Sequence, residues 1–360
     1  FITQSVLMTN DILLLCFFLG ALNALLSRKT GLYALFLVCL SLCSIRGLAT
    51  AGSLAGIHFV LEFRKGRTTI GSILSYVPLL FCILAWAVYH HIHSGWTLFS
   101  PLRTETDEHF LNLKGMAKQF VLTSWKLLDS GRIFCWVFLA WGIYFLANRK
   151  QINSEFKTLL ILLFVPLITI LLLLIPISNP SSSRYFMPTY LILSICICFI
   201  FQHLGRKTVT LCFSLLAAAL LSGNFWIYPE RFSNGWDTSL KVLPFFRLKQ
   251  QMISYVEKAK INPKEIGTQF PLIDSSIDSD LDSSGFQFTN ALSGPVSKFH
   301  YYLHSNVCNT DLLPQIVAIR LRWKVLKEVK KGEVYLCLYE NPDWVDRPQN
   351  QTKMNIQEFH

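Results

Sequence analysis

Charge is scarce in this chain. Only 15% of its 360 residues are Asp, Glu, Lys or Arg, against 52% that are hydrophobic. An ordinary soluble domain carries about 25% charged residues, so one water-exposed globule is excluded and several membrane spans are indicated. Acids are scarcer still at the front. Residues 1–228 hold 7 Asp and Glu beside 17 Lys and Arg, whereas residues 229–360 hold 15 beside 16. The net charge of +11 therefore belongs to the apolar part, where basic residues mark loop topology. It does not describe a nucleic-acid-binding face, and no nucleic acid is expected as a partner.

Other absences narrow the field. There is no internal repeat and no glycine-rich phosphate loop, and no nucleotide or redox cofactor is expected. Eight of the ten cysteines (16, 39, 43, 82, 135, 196, 198 and 212) lie in apolar runs, where the thiol acts as a small hydrophobe. Cys196 and Cys198 point to different faces of a helix, and nothing nearby completes a metal set. Cys308 and Cys337 fall in the polar tail, where pairing requires an oxidising compartment. Residues 274–285 are rich in Ser and Asp but lack the Gly and closing Glu of a calcium loop, so a solvated loop is expected. Neither an initial Met nor a signal-like segment opens the chain. It is expected to start inside a longer protein, with one or more spans upstream.

What is present is a series of apolar runs, at about 12–27, 31–45, 49–63, 70–90, 133–147, 158–177, 185–204 and 208–228. A helix needs roughly 20 residues to cross a bilayer, so the second and third runs are short and fit a hairpin bent near Ser44 and Gly47. Pro166 is the main mid-span break. Every second connection is basic: Arg28 and Lys29; Arg64, Lys65 and Arg67; Arg149, Lys150 and Lys157; Arg206 and Lys207. The positive-inside rule puts these loops in the cytoplasm. Asp11, the 91–132 loop, the 178–184 loop and the tail then share the other side. The expected fold is a multi-span α-helical membrane protein of about eight helices over residues 1–228. A soluble extracytoplasmic α/β domain follows over residues 229–360. In that tail the pattern predicts a helix over 245–260, stopped by Asn262 and Pro263, and a terminal hairpin of strands 324–329 and 333–339 turning at Lys330, Lys331 and Gly332.

Chemistry-bearing residues gather at the outer boundary. Asp11 stands at the mouth of the first run, behind Gln4, Ser5, Thr9 and Asn10, where an ionised acid is costly unless it is used. An N-cap is the alternative reading, compatible with the first. Arg184 and Tyr185 occupy a short polar loop entering the next-to-last run, with Pro188 behind them. A guanidinium fork there suits phosphate oxygens, although a snorkelling Arg beside an interfacial Tyr reads the same way. His90, His91 and His93 precede Trp96, and His91 and His93 share a face only if extended. Sugar or phosphate contact, a metal, or a plain polar cap all fit them. Arg103 belongs to the same loop, whose apolar residues recur at helical spacing between 110 and 128, as for an amphipathic helix on the membrane surface. Arg132 precedes a span and reads as snorkelling; His58 and His203 read as packed or interfacial.

In order along the chain, the acid before a span, the basic-glycine pair Arg46-Gly47, the large external loop, the Arg184-Tyr185-x-x-Pro188 element and the external tail resemble the type C glycosyltransferases. These are membrane enzymes of the protein O-mannosyltransferase and aminoarabinose-transferase kind. The resemblance covers roughly residues 1–228; this chain has Arg46 where the family often has Lys. It implies an inverting hexosyl- or pentosyltransferase of the cell envelope, embedded in a bacterial inner membrane. The donor would be a polyprenyl-phosphate sugar and the acceptor a lipid, glycan or protein. Asp11 would position the acceptor or a metal, with the principal acid upstream of Phe1. Arg46 and Arg184 would bind phosphate, and the 91–132 loop would close the donor groove. A divalent metal is left open as cofactor. Two other classes remain: a transporter or flippase of lipid-linked glycans, and a non-catalytic envelope-assembly protein.

Overall fold

The computed structural model describes residues 10–64, 70–95, 110–177, 182–226, 242–269, 271–273, 286–291, 295–307 and 313–344. Contacts divide the chain into a unit of residues 1–226 and 237–240, and a second of residues 227–236 and 241–360.

The first unit is helical. Its elements are α1 (Asn10–Leu26), α2 (Thr30–Cys43), α3 (Ile45–Arg64), α4 (Ile70–Leu74), α5 (Val77–Ser94), α6 (Leu113–Leu128), α7 (Arg132–Asn148) and α8 (Ser154–Leu174). A 3-10 turn (Ser183–Phe186), α9 (Met187–Phe201) and α10 (Arg206–Gly223) complete it. Three segments are long and apolar enough to cross a membrane: Ser154–Leu174, Ser183–Phe201 and Arg206–Gly223. The pair α6–α7, bent by 85°, makes a fourth if counted as one span. The remaining apolar runs also fold as helices, but α1 and α2 have 17 and 14 residues. At 1.5 Å per residue they rise about 21–26 Å, short of a hydrocarbon core of about 30 Å.

Local chemistry sets the breaks. The polypeptide turns at Ser44, whose Oγ accepts from the Gly47 N–H at 3.1 Å and caps α3. A Cβ on Gly47 would sit 2.1 Å from the Leu40 carbonyl oxygen, so only glycine lets α2 and α3 meet this closely. The apolar run 70–90 is not one helix. It breaks at Ser75 and Tyr76, and restarts with Pro78 in the first turn of α5, where its missing N–H costs nothing. Pro166, expected to break its span, lies buried inside a continuous α8. Packing runs from α1 onto α2 and α3, from α3 to α8, from α8 to α9, and from α9 to α7. Phe18, Leu37, Leu54, Leu139, Phe156 and Ile200 are fully buried in that core.

The second unit is a mixed sheet with helices on both faces, in agreement with the α/β pattern of the tail. Its elements are α11 (Leu243–Lys258), β1 (Ile266–Thr268), β2 (Thr289–Asn290), β3 (Tyr301–Ser305), α12 (Leu313–Arg322), β4 (Lys324–Lys331) and β5 (Val334–Glu340). The strand order is β2-β1-β3-β5-β4. β1 pairs in parallel with β2 and β3, while β3–β5 and β5–β4 are antiparallel. The hairpin turns at Gly332, whose φ of +61° favours glycine. Alternation on β5 serves two cores. Val334, Leu336 and Leu338 meet Phe245, Leu248 and Met252 of α11, while Cys337 and Tyr339 meet Ile316 and Ile319 of α12.

Candidate functional site

Three residues distant in sequence meet at Asp11. This acid occupies the first turn of α1 and is 3% exposed. Arg46, second residue of α3, brings Nη1 to 2.6 Å from Asp11 Oδ1. Arg184, in the 3-10 turn leading into α9, brings Nε to 3.6 Å from Oδ2. The Tyr185 ring lies beneath both guanidinium groups, its centroid 4.0 Å from Arg46 Cζ and 5.6 Å from Arg184 Cζ.

Each member also stands within one turn of a helix N-terminus, where backbone N–H groups and the helix dipole favour negative charge. Asp11 suits that position; the two arginines oppose it, and their placement makes sense only around an anion. Among the described residues, one carboxylate meets two guanidinium groups here. The Asp11 side chain is 4% exposed, while Arg46 and Arg184 keep 19% and 25%. Both guanidinium groups are thus more accessible than the carboxylate they share. Both Asp11 oxygens turn to guanidinium groups. Among the described residues no group of three or more His, Cys, Asp or Glu is arranged to hold a metal.

A groove of about 270 Å³ opens at the α2–α3 break, and Arg46 is not among its lining residues. The α2–α3 break lines it with Leu42, Ser44 and Ile45, and α5 with Cys82, Ile83 and Trp86.

The other candidates fall elsewhere. His91 and His93 lie exposed in the last turn of α5. The His93 ring packs on Tyr89 with centroids 4.4 Å apart, and the His91 carbonyl accepts the capping N–H of Gly95. Arg103, the 274–285 loop and Cys308 lie outside the described residues. Cys337 is buried in β5, and burial pushes its thiol up from the ordinary value. Arg132 is not a simple snorkelling residue: Nη1 donates to the Asp129 carbonyl at 3.2 Å and the guanidinium covers the Tyr190 ring at 4.5 Å.

Three features had no clear sequence signal. α6 turns Gln119 and Thr123 inward and leaves Leu113, Phe120, Val121 and Trp125 exposed, the reverse of a soluble amphipathic helix. Tyr190 Oη donates to the Lys126 and Leu127 carbonyls at 3.3 Å, fastening the end of α6 to α9. His58, expected as a packed or interfacial residue, is buried with Nδ1 2.7 Å from Tyr76 Oη and its ring edge-on to buried Tyr33. A histidine alone in an apolar run was the one available pointer to that contact. No protein-family model, curated protein or solved structure matches the chain.

Proposed function

We propose that the chain belongs to a membrane glycosyltransferase that takes its sugar from a polyprenyl-phosphate donor. One observation carries the reading: among the described residues, three helix N-termini and two guanidinium groups converge on the buried Asp11 carboxylate, and the guanidinium groups are the more accessible partners. Such a place suits a phosphate, which gains charge as the glycosidic C–O bond breaks. Arg46 and Arg184 bind the departing phosphate. Asp11 is a positioning residue that holds both forks, and Tyr185 fixes their planes. The apolar groove beside Ile45 and Trp86 receives the first isoprene units. The acceptor hydroxyl attacks the anomeric carbon from the opposite face, its proton passes to a base outside this cluster, and polyprenyl phosphate leaves.

The membrane setting is part of the proposal. All eight apolar runs lie in the bilayer, the shorter helices by local thinning. Asp11, Arg184 and the second unit face the extracytoplasmic side. The exposed apolar residues of α6, and the almost wholly unburied apolar helix α10, support a lipid-facing surface.

The test is transfer in membranes from radiolabelled polyprenyl-phosphate mannose and polyprenyl-phosphate aminoarabinose, at matched expression. Arg46→Ala and Arg184→Ala should each lower turnover about a hundredfold to a thousandfold, as loss of a preorganised charge-stabilising donor does. Wild-type turnover by both variants would remove them from the mechanism. Accessibility labelling that put residue 11 and the second unit on opposite faces would end the topological half.

A transport reading draws on one observation, the buried His58–Tyr76 contact inside the helices, because ionisable groups within spans often serve pathways. It requires flux across liposomes that His58→Phe abolishes while transfer chemistry is absent.

A further inference from the structure

The second unit carries a concave basic site of its own. On α11, residues 247, 250, 251, 254 and 258 recur at helical spacing and form a stripe away from the buried face of Phe245, Leu248, Met252 and Val256. Beside it runs β4, the edge strand of the sheet. Between them lies a groove of about 540 Å³, within the range of about 300–1,000 Å³ usual for small-ligand sites. Three cations line it: Arg247 and Lys258 from the helix and Lys327 from the strand. Among its described lining residues there is no carboxylate; Glu257, the nearest acid on the helix, does not line it. Gln250, Gln251 and Ser254 add neutral donors and acceptors. Lys327 Nζ stands 5.7 Å from the centre of the Tyr255 ring, which also faces the groove.

Lysines on an edge strand can serve merely to block strand-to-strand association. That accounts for Lys324 and Lys330 but not for Arg247 and Lys258, which sit on a helix. Residues 229–360 as a whole are nearly neutral, with 16 basic and 15 acidic residues. The tail has no general positive field for a nucleic acid, so the concentration of cations in one hollow whose described lining holds no carboxylate is local. A bilayer surface calls for exposed apolar anchors beside the cations, and Val329 alone of the described lining residues is aliphatic. Amides, a hydroxyl and one aromatic ring beside cations match a chain of hydroxylated rings that bears anionic groups.

We infer that the α11–β4 groove binds an acidic glycan, a short stretch of sugars carrying carboxylate or phosphate. Arg247, Lys258 and Lys327 receive the anionic groups, Gln250, Gln251 and Ser254 the hydroxyls, and Tyr255 the face of a ring. The site stands in a different unit from the Asp11 cluster and does not depend on the transferase reading.

The test uses the full chain in lipid nanodiscs and a fluorescent tetragalacturonate as carboxylated probe. A phosphomannan tetrasaccharide, neutral maltotetraose and a short single-stranded DNA complete the set. The acidic sugars should bind saturably and weaken as salt rises, with maltotetraose at least about tenfold weaker. Whichever of tetragalacturonate and phosphomannan binds more tightly identifies the anionic group. The triple variant Arg247→Gln/Lys258→Gln/Lys327→Gln should weaken the better probe about thirtyfold, a sum of exposed charge contacts. A control, Lys264→Gln/Lys298→Gln, removes two exposed lysines that do not line the groove and should leave affinity within about twofold. All five side chains are exposed, and an unchanged melting temperature verifies folding. Equal binding by wild type and triple variant, no saturable binding by either acidic sugar, or tighter binding of DNA would each overturn the inference.

Discussion

The two units of this chain obey opposite surface rules. The first exposes dozens of large apolar side chains, while among the described residues of the second only Leu243, Val317, Leu321 and Val325 do so. Their interiors differ as well. The helical unit buries an ion cluster at Asp11 and a His–Tyr contact. In the mixed-sheet unit, buried polar side chains pin the backbone. Thr268 donates to the Leu303 carbonyl, and Asn306 bridges Glu333 and Tyr335. The apolar outside of the first unit is wasted in water and useful in lipid. Its buried charges are expensive in either setting, so they are the better guide to what it does.

The largest expected effects test those interiors. Asp11→Ala leaves two guanidinium groups facing each other without their shared anion, and should cost about 3–5 kcal/mol, read as thermal unfolding in detergent. A change under about 1 kcal/mol would mean that the arginines find other partners and that the cluster does not hold the three helix ends together. Phe18→Ala, in the fully buried core, should cost about 3–5 kcal/mol, whereas Phe213→Ala on the outer face of α10 should stay within about 0.5 kcal/mol. Equal losses at the two positions would show that α10 is covered by protein and would break the contrast drawn here.

The sequence made some of this legible and hid the rest for identifiable reasons. Apolar runs reported where helices form, because burial in protein and burial in lipid select the same residues. For that reason they could not report how many helices span: α1 and α2 are apolar enough but short. Ser44 and Gly47 marked the α2–α3 break because a cap and a close backbone approach are local demands. The hairpin at Gly332 was legible for the same kind of reason. Pro78 held the signal for the break before α5, but the unbroken apolar run around it suggested one span. Asp11 and Arg184 were suspect as charges at an apolar boundary, and Arg46 only through the basic-glycine pair of the family resemblance. Their meeting was not readable, since spacing along the chain carries no record of which helix ends gather. Gln119 and Thr123 gave no warning at all, because a polar residue on an amphipathic helix reads as its solvated face.

A middle-sized effect sharpens the comparison from the other side. Asn306→Ala removes the side chain whose amide donates to the Glu333 carbonyl at 2.6 Å and whose carbonyl accepts the Tyr335 N–H at 3.0 Å. The two backbone groups lose their partner at a nearly buried site, for a cost of about 1–3 kcal/mol. The loss should appear as faster amide exchange confined to the β4–β5 hairpin. Exchange that rises equally throughout the helical unit would contradict the independence of the two cores.

The smallest effect compares one ion pair from each unit. Lys324 and Glu340 approach to 3.7 Å across β4 and β5, but the Lys324 side chain is 73% exposed. Water already solvates both charges, so their pairing offsets little desolvation, and a double-mutant cycle should return at most about 0.5 kcal/mol. The same cycle on Asp11 and Arg46, 2.6 Å apart and largely shielded, should return several times more, because neither charge recovers its hydration when the other is removed. The ratio matters more than either value, since it measures how differently the two units treat charge. Raising salt should erase the Lys324–Glu340 coupling and leave the Asp11–Arg46 coupling nearly intact. If salt weakened both alike, water would have free access to the Asp11 carboxylate, and it could not serve as a buried anchor for the two arginines.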